Sequence, residues 1–193
     1  MTDILVAGAD ASQAGGYFQV GPLTAAAPTD ATTPLTNGFT NAGLISLDGV
    51  TVSETKSTSP VRDATGAIIR TIITEYGVRV TMTLLAPTFK TFQLMYGMDN
   101  VSLAENGDVI RKYRKTELPH QSWANHFVDG GVKVRLYLPK AQIVETGDVV
   151  YNVESPTTYE ITLECAPDAD LVYGYEFKAG STVPEVLTPG EGE

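Results

Sequence analysis

AIIRTIITEYGVRVTMTLL, residues 67–85, carries the clearest fold signal in the chain. Its second half alternates apolar and polar side chains, with Val78, Val80, Met82 and Leu84 on one side and Arg79, Thr81 and Thr83 on the other. A period of two is typical of a β-strand with one buried face and one solvated face. The stretch is interpreted as two strands that hinge near Glu75-Tyr76-Gly77.

The same pattern returns in TTYEITLECA, residues 157–166. Its apolar side holds Tyr159, Ile161, Leu163 and Cys165, and its other side holds only hydroxyls and acids: Thr158, Glu160, Thr162 and Glu164. Further β-like stretches lie between short turn signals, at residues 108–115, 120–129, 132–144, 148–153 and 171–177. Alternating strands at such spacing predict an antiparallel sandwich or barrel.

One helix is predicted, in APTFKTFQLMYG, at about residues 87–96. Pro87 suits the first helical position and Gly97 suits the C-terminal cap. Phe89, Phe92 and Tyr96 recur on one side, which we expect to pack on the sheet because so short a helix does not persist alone. The predicted fold class is mainly β: an antiparallel β-sandwich or partial barrel with one short α-helix.

The chain divides into three predicted parts. Residues 1–40 are rich in Ala, Gly, Pro and Thr and are expected to form an N-terminal arm. Residues 41–180 form the β-sandwich domain, interrupted after an Asp48-Gly49 turn by a long polar loop at residues 51–67. Residues 181–193 are expected to be a flexible acidic tail.

Composition excludes several classes of protein. The only cysteine, Cys165, permits no intrachain disulfide, and the N-terminus lacks the basic and apolar regions of a signal peptide. No apolar run approaches a membrane span, so we expect a soluble protein made in the cytoplasm that does not bind membranes. A net charge of −10 opposes tight binding of nucleic acid.

No residue pattern points to catalysis. Phosphate-binding loops, nucleophile motifs and paired-cysteine zinc spacings are absent from the sequence. His120 and His126 lie on one predicted strand, roughly 20 Å apart at strand rise, which is too far to share one metal. Asp168 and Asp170 resemble half of a calcium loop, but a turn is the better interpretation. We therefore expect no enzyme, no metal and no cofactor.

Two apolar candidates are assigned to packing. Trp123 is expected in the core or at a subunit contact, with the core favoured, and Cys165 is expected to be a small core residue. Glu160 and Glu164 alternate on a solvated strand face, with no apolar pocket implied around either carboxylate.

Three stretches, in this order, resemble the major tail (tail tube) proteins of long non-contractile-tailed bacteriophages. They are GGYFQVGPLTAAAPTDATTPLTNGFTNAGLISLDGV, IIRTIITEYGVRVTMTLLAPTFKTFQLMYG and VRLYLPKAQIVETGDVVYNVESPTTYEITLECAPD. The resemblance covers most of residues 16–167 and depends on order and spacing more than on any single motif. Many relatives carry W-G-G in the middle loop, where this chain has VRDATGA.

The resemblance implies a ring-forming subunit with the tail-tube fold and a structural role in the virion. Six copies would form each ring, and stacked rings would form a hollow tube. The implied partners are further copies of the chain, a tape-measure protein inside the tube, and the tail terminator and distal tail proteins. Double-stranded DNA would pass through the tube without specific binding.

Strand faces give candidate lumen-lining residues: Arg79, Thr81, Thr83, Thr158, Glu160, Thr162 and Glu164. The middle loop gives candidate contacts between rings: Glu54, Lys56, Arg62 and Asp63. Residues 51–67 and both ends are expected to become ordered against the next ring. Two alternatives stay open: an immunoglobulin-like or carbohydrate-binding sandwich, and the needle-tube protein of a bacterial injection machine.

Overall fold

The computed structural model describes residues 5–36 and 38–180. Eleven strands and one α-helix follow one another in this order: β1 Gly8–Ala9, β2 Phe18–Gly21, β3 Thr40–Asn41, β4 Gly43–Arg62, β5 Ile68–Pro87, α1 Phe89–Tyr96, β6 Val101–Leu103, β7 Val109–Arg111, β8 Gln121–Asp129, β9 Val132–Thr146, β10 Tyr159–Cys165 and β11 Tyr175–Ala179. A 3-10 turn, Met98–Asn100, follows the helix. No helix of the described ranges is long and apolar enough to cross a membrane.

Nine strands form one antiparallel sheet in the order β3-β2-β8-β9-β10-β5-β4, with β1 added beside β8 and β11 beside β9. The first and last strands of this order, β3 and β4, are separated in the chain only by Ala42, whose amide donates to the Phe18 carbonyl in β2. The sheet must therefore curl until its two ends meet, as in a partial barrel. The predicted fold class, mainly antiparallel β with one short helix, is confirmed.

The core lies on the inner face of the curled sheet. The predicted apolar sides of β5 and β10 are buried there together, confirming their alternation: Val78, Val80, Met82, Leu84, Ile161, Leu163 and Cys165. Trp123 of β8 is buried in the same cluster and stacks on Phe18 with ring centroids 5.5 Å apart. The core assignments of Trp123 and Cys165 are thus confirmed.

Helix α1 is shorter than predicted, because Pro87 still belongs to β5 and Thr88 caps the helix by accepting a hydrogen bond from the Thr91 amide. Gly97 ends it as expected, with a positive φ of 96°. Its buried side chains are Thr91, Leu94 and Met95, while Phe92 and Tyr96 are half-buried, Phe92 against Tyr159 of β10 and Tyr96 against the core. The expected packing of the aromatic side on the sheet is confirmed for Phe92 and Tyr96, whereas Phe89 is exposed.

The predicted N-terminal arm is wrong for Phe18–Gly21. These residues form β2, fully buried between β3 and β8, because Phe18 and Val20 supply two core side chains from only four residues. The Pro-rich stretch that follows is held against the outside of the sheet by Arg135, which donates to the carbonyls of Asp30 and Thr33.

The predicted loop at residues 51–67 is also wrong as a description of local structure. Residues up to Arg62 continue β4, which pairs with β5 along nearly its whole length, and only residues 63–67 form a turn. Threonine and serine are compatible with an extended ribbon when a partner strand lies alongside. The predicted hinge at Glu75-Tyr76-Gly77 lies within continuous β5, and Asp48-Gly49 forms a bulge in β4.

Two further predictions concern the C-terminal part of the chain. Residues 148–153 were predicted as a strand, and the structure has no strand there. The predicted tail, residues 181–193, lies outside the described residues.

Candidate functional site

The candidate lumen residues come together on one surface of the sheet. Antiparallel pairing sets Arg79 of β5 opposite Glu164 of β10, and Thr83 opposite Glu160. The Arg79 guanidinium lies 3.0 Å from the Glu164 carboxylate, and both side chains are about half exposed. Between these pairs Thr81 faces Thr162, with their hydroxyl oxygens 3.3 Å apart.

Two of the predicted lumen residues are less available than the sequence suggests. Thr162 is only 8% exposed because neighbouring strands flank it on both sides. Thr158 lies just before β10 and is half-buried. The solvated part of this surface is therefore centred on Arg79, Glu160 and Glu164.

Neighbouring strands add residues that the sequence analysis missed. Ser53 and Thr51 of β4 lie opposite Arg79 and Thr81, while Gln142 and Glu145 of β9 lie opposite Glu164 and Thr162. The combined surface is called the polar face below: Thr51, Ser53, Arg79, Thr81, Thr83, Gln142, Glu145, Glu160, Thr162 and Glu164. Its one arginine and three glutamates give a net charge of 1 − 3 = −2. The T-V-S alternation at residues 51–53 was a usable signal, hidden by the loop assignment.

Strand β4 forms a long edge beside the polar face. In the described ranges it pairs only with β5, so along its 20 residues the other side has no strand partner. The opposite end of the sheet order, β3, contains two residues. A long unpaired edge offers backbone amides and carbonyls to another strand, and isolated proteins usually shorten or cover such edges.

Beyond the polar face, β4 and β5 leave the sheet as a two-stranded extension, called the ribbon: residues 55–77. The last pair between β5 and β10 joins Val78 to Cys165, and past it the two strands of the ribbon pair only with each other. The ribbon exposes apolar side chains on both faces: Val61, Ile68, Ile69, Ile72, Ile73 and Tyr76. A two-stranded ribbon with exposed isoleucines is marginal in water and indicates a partner surface.

The candidate contacts between rings fall at two separate places along the ribbon. At its base, Lys56 lies 2.9 Å from Glu54 and over the ring of Tyr76, and the Lys56 hydrogen bond lowers the pKa of Glu54. At its tip, Arg62 donates to the Gly66 carbonyl, and Asp63 accepts hydrogen bonds within the turn. Six residues separate Lys56 from Arg62, which is about 20 Å at strand rise, so the four residues do not form one cluster.

The titratable residues considered for chemistry have structural surroundings. His126 is buried in β8, where its Nδ1 accepts a hydrogen bond from Arg135, and burial lowers the pKa of His126 to about 4. His120 precedes β8, and a bulge follows it, so the two histidines do not share the regular strand predicted for them. Burial also raises the pKa of Cys165 to about 12.

Asp168 closes a turn, as predicted, by accepting hydrogen bonds from the amides of Asp170 and Val172 and from the Tyr175 hydroxyl. Within the described part of the chain, no three His, Cys, Asp or Glu side chains are grouped as a metal site. The surfaces that stand out are the polar face, the β4 edge and the ribbon.

Comparison with known proteins gives results of different weight. No curated protein matches the sequence. Among solved structures, the chain is similar to one in "Cryo-EM Structure of an Extracellular Contractile Injection System, PVC sheath-tube complex in extended state", with a TM-score of 0.43 and 11% identity over 84% of this chain and 88% of that one. A family model described as "Phage tail tube protein" matches residues 6–173. This chain belongs to the phage tail tube protein family.

Proposed function

We propose that six copies of this chain close into a ring around a central channel and that the rings stack into the hollow tail tube of a virion. The unpaired 20-residue edge of β4 carries the proposal. Ring closure about a symmetry axis would satisfy that edge in every copy with a strand of its neighbour. The role is structural and not catalytic.

The polar face is proposed to line the channel. It lies on the four strands β4, β5, β10 and β9, beside the open edge, so joining copies at this edge would continue it from subunit to subunit. Its net charge of −2 per copy, from one arginine and three glutamates, would repel the DNA phosphates. Repulsion acts over about 8 Å at physiological salt, which favours DNA that slides over DNA that binds.

The ribbon is proposed to contact the next ring. Its isoleucines are 38–65% exposed in their own copy, and its tip at Arg62 and Asp63 lies beyond the last pairing of β5 with β10. Glu54 and Lys56 at the base would lie nearer to the plane of their own ring. This keeps the predicted role of residues 51–67 while replacing a disordered loop with a preformed strand pair.

The remaining partners follow from a place in the tail tube. We propose that the channel holds a tape-measure protein during assembly and later conducts double-stranded DNA. The tail terminator and distal tail proteins would contact the two end rings. The subunit would be made in the cytoplasm of the host and end in the virion.

Electron microscopy of the purified chain over a range of concentrations tests this proposal. We expect rings with sixfold symmetry, or hollow tubes built from them, with β4 paired to a neighbouring copy in a reconstruction. Particles that stay monomeric at every concentration and are absent from virion tails would overturn it. A tube in which β4 remains an open edge would overturn the closure mechanism.

A further inference from the structure

Arg111-Lys112-Tyr113-Arg114-Lys115, called the basic segment below, concentrates positive charge in an acidic protein. It holds four of the 13 lysines and arginines of a chain whose net charge is −10. Lys112, Arg114 and Lys115 are exposed, whereas Arg111 is half-buried. Such a concentration is unexpected on a surface that is otherwise acidic, and it calls for an anionic partner.

The backbone of the basic segment is fixed while its charges point outward. The Lys112 amide donates to the Asn100 carbonyl at 2.7 Å, and the Asn100 side chain donates to the Arg114 carbonyl at 2.8 Å. The Arg111 guanidinium lies 3.3 Å from the ring centre of Tyr96 and 4.3 Å from that of Tyr113. These contacts hold the segment against the C-terminal end of α1, so its backbone loses little conformational entropy when a partner binds.

No carboxylate of the same copy neutralises these charges within the described ranges. The ion pairs there join Lys56 to Glu54, Arg79 to Glu164, Lys133 to Asp10 and Lys178 to Glu176. The basic segment takes part in none of them. These charges are therefore open to an acidic partner from residues 181–193 or from another molecule.

Residues 181–193, called the tail below, have the complementary charge. The sequence STVPEVLTPGEGE holds Glu185, Glu191 and Glu193 and no lysine or arginine. Three glutamates match the three exposed cations Lys112, Arg114 and Lys115. Each exposed pair is weak alone, but several in one contact act together.

Within one copy, the start of the tail and the basic segment lie at opposite ends of β9. Ala179, just before the tail, pairs with Lys133 near the beginning of β9. Leu118, just after the basic segment, accepts a hydrogen bond from Gln142, nine residues further along the same strand. Nine residues of strand cover about 30 Å.

The aromatic contacts of the helix place Arg111 at this same far end. Arg111 rests on Tyr96, and Phe92, one helical turn earlier, packs 5.2 Å from the ring centre of Tyr159 at the start of β10. Close by in β10, Ile161 pairs with Thr146, the last residue of β9. Thirteen residues reach at most about 45 Å when fully extended, so the tail meets the basic segment of its own copy only if it extends over about two-thirds of that length.

We propose that the basic segment of one copy binds the tail of a second copy, head to tail, an inference that rests on the proposed stacking of rings. A copy displaced along the strand direction brings its tail to the basic segment of the next copy. Such a contact joins unlike surfaces and so propagates along a tube without closing. It also places attraction where two acidic copies otherwise repel each other.

Isotope-mixed cross-linking tests which copy supplies the tail. Equal amounts of ¹⁵N-labelled and unlabelled full-length chains are assembled, treated with a zero-length carbodiimide and digested. We expect cross-links from Lys112 or Lys115 to Glu185, Glu191 or Glu193, about half of which join a labelled to an unlabelled peptide. Cross-links only between peptides of equal label, or none to the tail, would overturn the inference.

Charge exchange gives a second and independent measurement. Lys112→Glu/Arg114→Glu/Lys115→Glu should raise the protein concentration needed for tubes about tenfold, and adding Glu185→Lys/Glu191→Lys/Glu193→Lys should restore assembly. A control that makes the same change of charge elsewhere, Lys90→Glu/Lys140→Glu/Lys178→Glu, should not be rescued by the altered tail. Failure of the tail substitutions to rescue the first variant would contradict the contact.

Microscopy of the same samples separates the two proposals. Tubes of normal structure without mixed cross-links would overturn only the tail contact. The absence of rings and tubes from wild-type protein at every concentration would overturn the proposed function and, with it, this inference.

Discussion

Single buried polar residues fasten the N-terminal part of the chain to the sheet. Arg135 is fully buried in β9 and bonds to two backbone carbonyls and to His126 of the neighbouring strand. Its guanidinium has no carboxylate partner at hydrogen-bond distance among the described residues, so carbonyl dipoles and the neutral imidazole compensate its burial. The protonation state of His126 is therefore coupled to folding.

We predict that His126 makes the subunit less stable in mild acid. Its pKa falls from 6.5 to about 4 on folding, through burial first and then the charge of Arg135, so the unfolded chain binds the proton more tightly. Stability is complete above pH 6.5 and is lost as the pH falls from 6.5 towards 4. The shift corresponds to about 3 kcal/mol.

Urea unfolding of the wild type and of His126→Gln at pH 7.5 and pH 4.5 measures this loss. We expect the wild type to lose more unfolding free energy between the two pH values than the variant does. Asp10, whose pKa is lowered to about 2, contributes mainly below this window because an unfolded aspartate titrates near pH 3.8. Equal losses in both proteins would contradict the assignment.

At the scale of elements, the ribbon is the part whose apolar composition fits an isolated subunit least well. Ile69 and Ile73 are 65% and 63% exposed, although isoleucine is among the residues most often buried. Their exposure costs the isolated subunit apolar burial that a partner could supply. We therefore expect the exposed isoleucines of the ribbon to contribute little to the folding of one copy and more to its assembly with other copies.

We predict that Ile69→Ser/Ile73→Ser leaves the fold intact and weakens stacking. Exposed positions contribute little to subunit stability, so the unfolding free energy should change by less than about 1 kcal/mol. Covering two isoleucines in an interface is worth about 3 kcal/mol, so tubes should need about a hundredfold more protein. Sedimentation of tubes against protein concentration measures the second effect.

The control is Leu47→Ser/Val153→Ser, which removes two apolar side chains that are fully exposed and lie outside the ribbon. It should assemble like the wild type. If the ribbon variant also assembles at the wild-type concentration, these isoleucines do not lie between rings.

The elements that sequence alone predicts well are those with a strong local pattern. The alternation in β5 and β10 identifies both their buried and solvated sides, and it places Arg79 and Glu164 on the same surface. The β4 half of the ribbon was missed because serine and threonine at residues 51–58 suit strand and loop alike, and only pairing with β5 decides between them. Strand β2 was missed because four residues give too short a pattern to read.

At the scale of the whole molecule, closure of the sheet depends on information that no local pattern contains. The order β3-β2-β8-β9-β10-β5-β4 joins strands far apart in the sequence, and its two ends meet around Ala42. The composition of the polar face beyond β5 and β10 depends on this order, which is why Gln142 and Glu145 could not be assigned from sequence. Which surface faces the channel is decided one level higher, by the arrangement of copies.

We predict that a label at position 160 lies inside the assembled tube. Glu160 is exposed in the single copy, opposite Thr83 on the polar face, so Glu160→Cys offers an accessible thiol. The native Cys165 is buried, and its pKa is raised to about 12, so it does not compete for a thiol reagent at neutral pH. Subunits labelled with a small heavy-atom cluster before assembly should show added density on the channel side of the wall.

Wild-type protein treated with the same reagent should show no added density, which checks that Cys165 stays unlabelled. Density on the outer wall of Glu160→Cys tubes would reverse the orientation and remove the electrostatic account of DNA passage. Density on the inner wall would show that the polar face lines the channel. Its glutamates would then lie within a Debye length of the DNA surface only in a channel that the duplex nearly fills. The channel radius in the same reconstruction therefore decides whether these charges act on the DNA directly or mainly keep the bare wall from binding it.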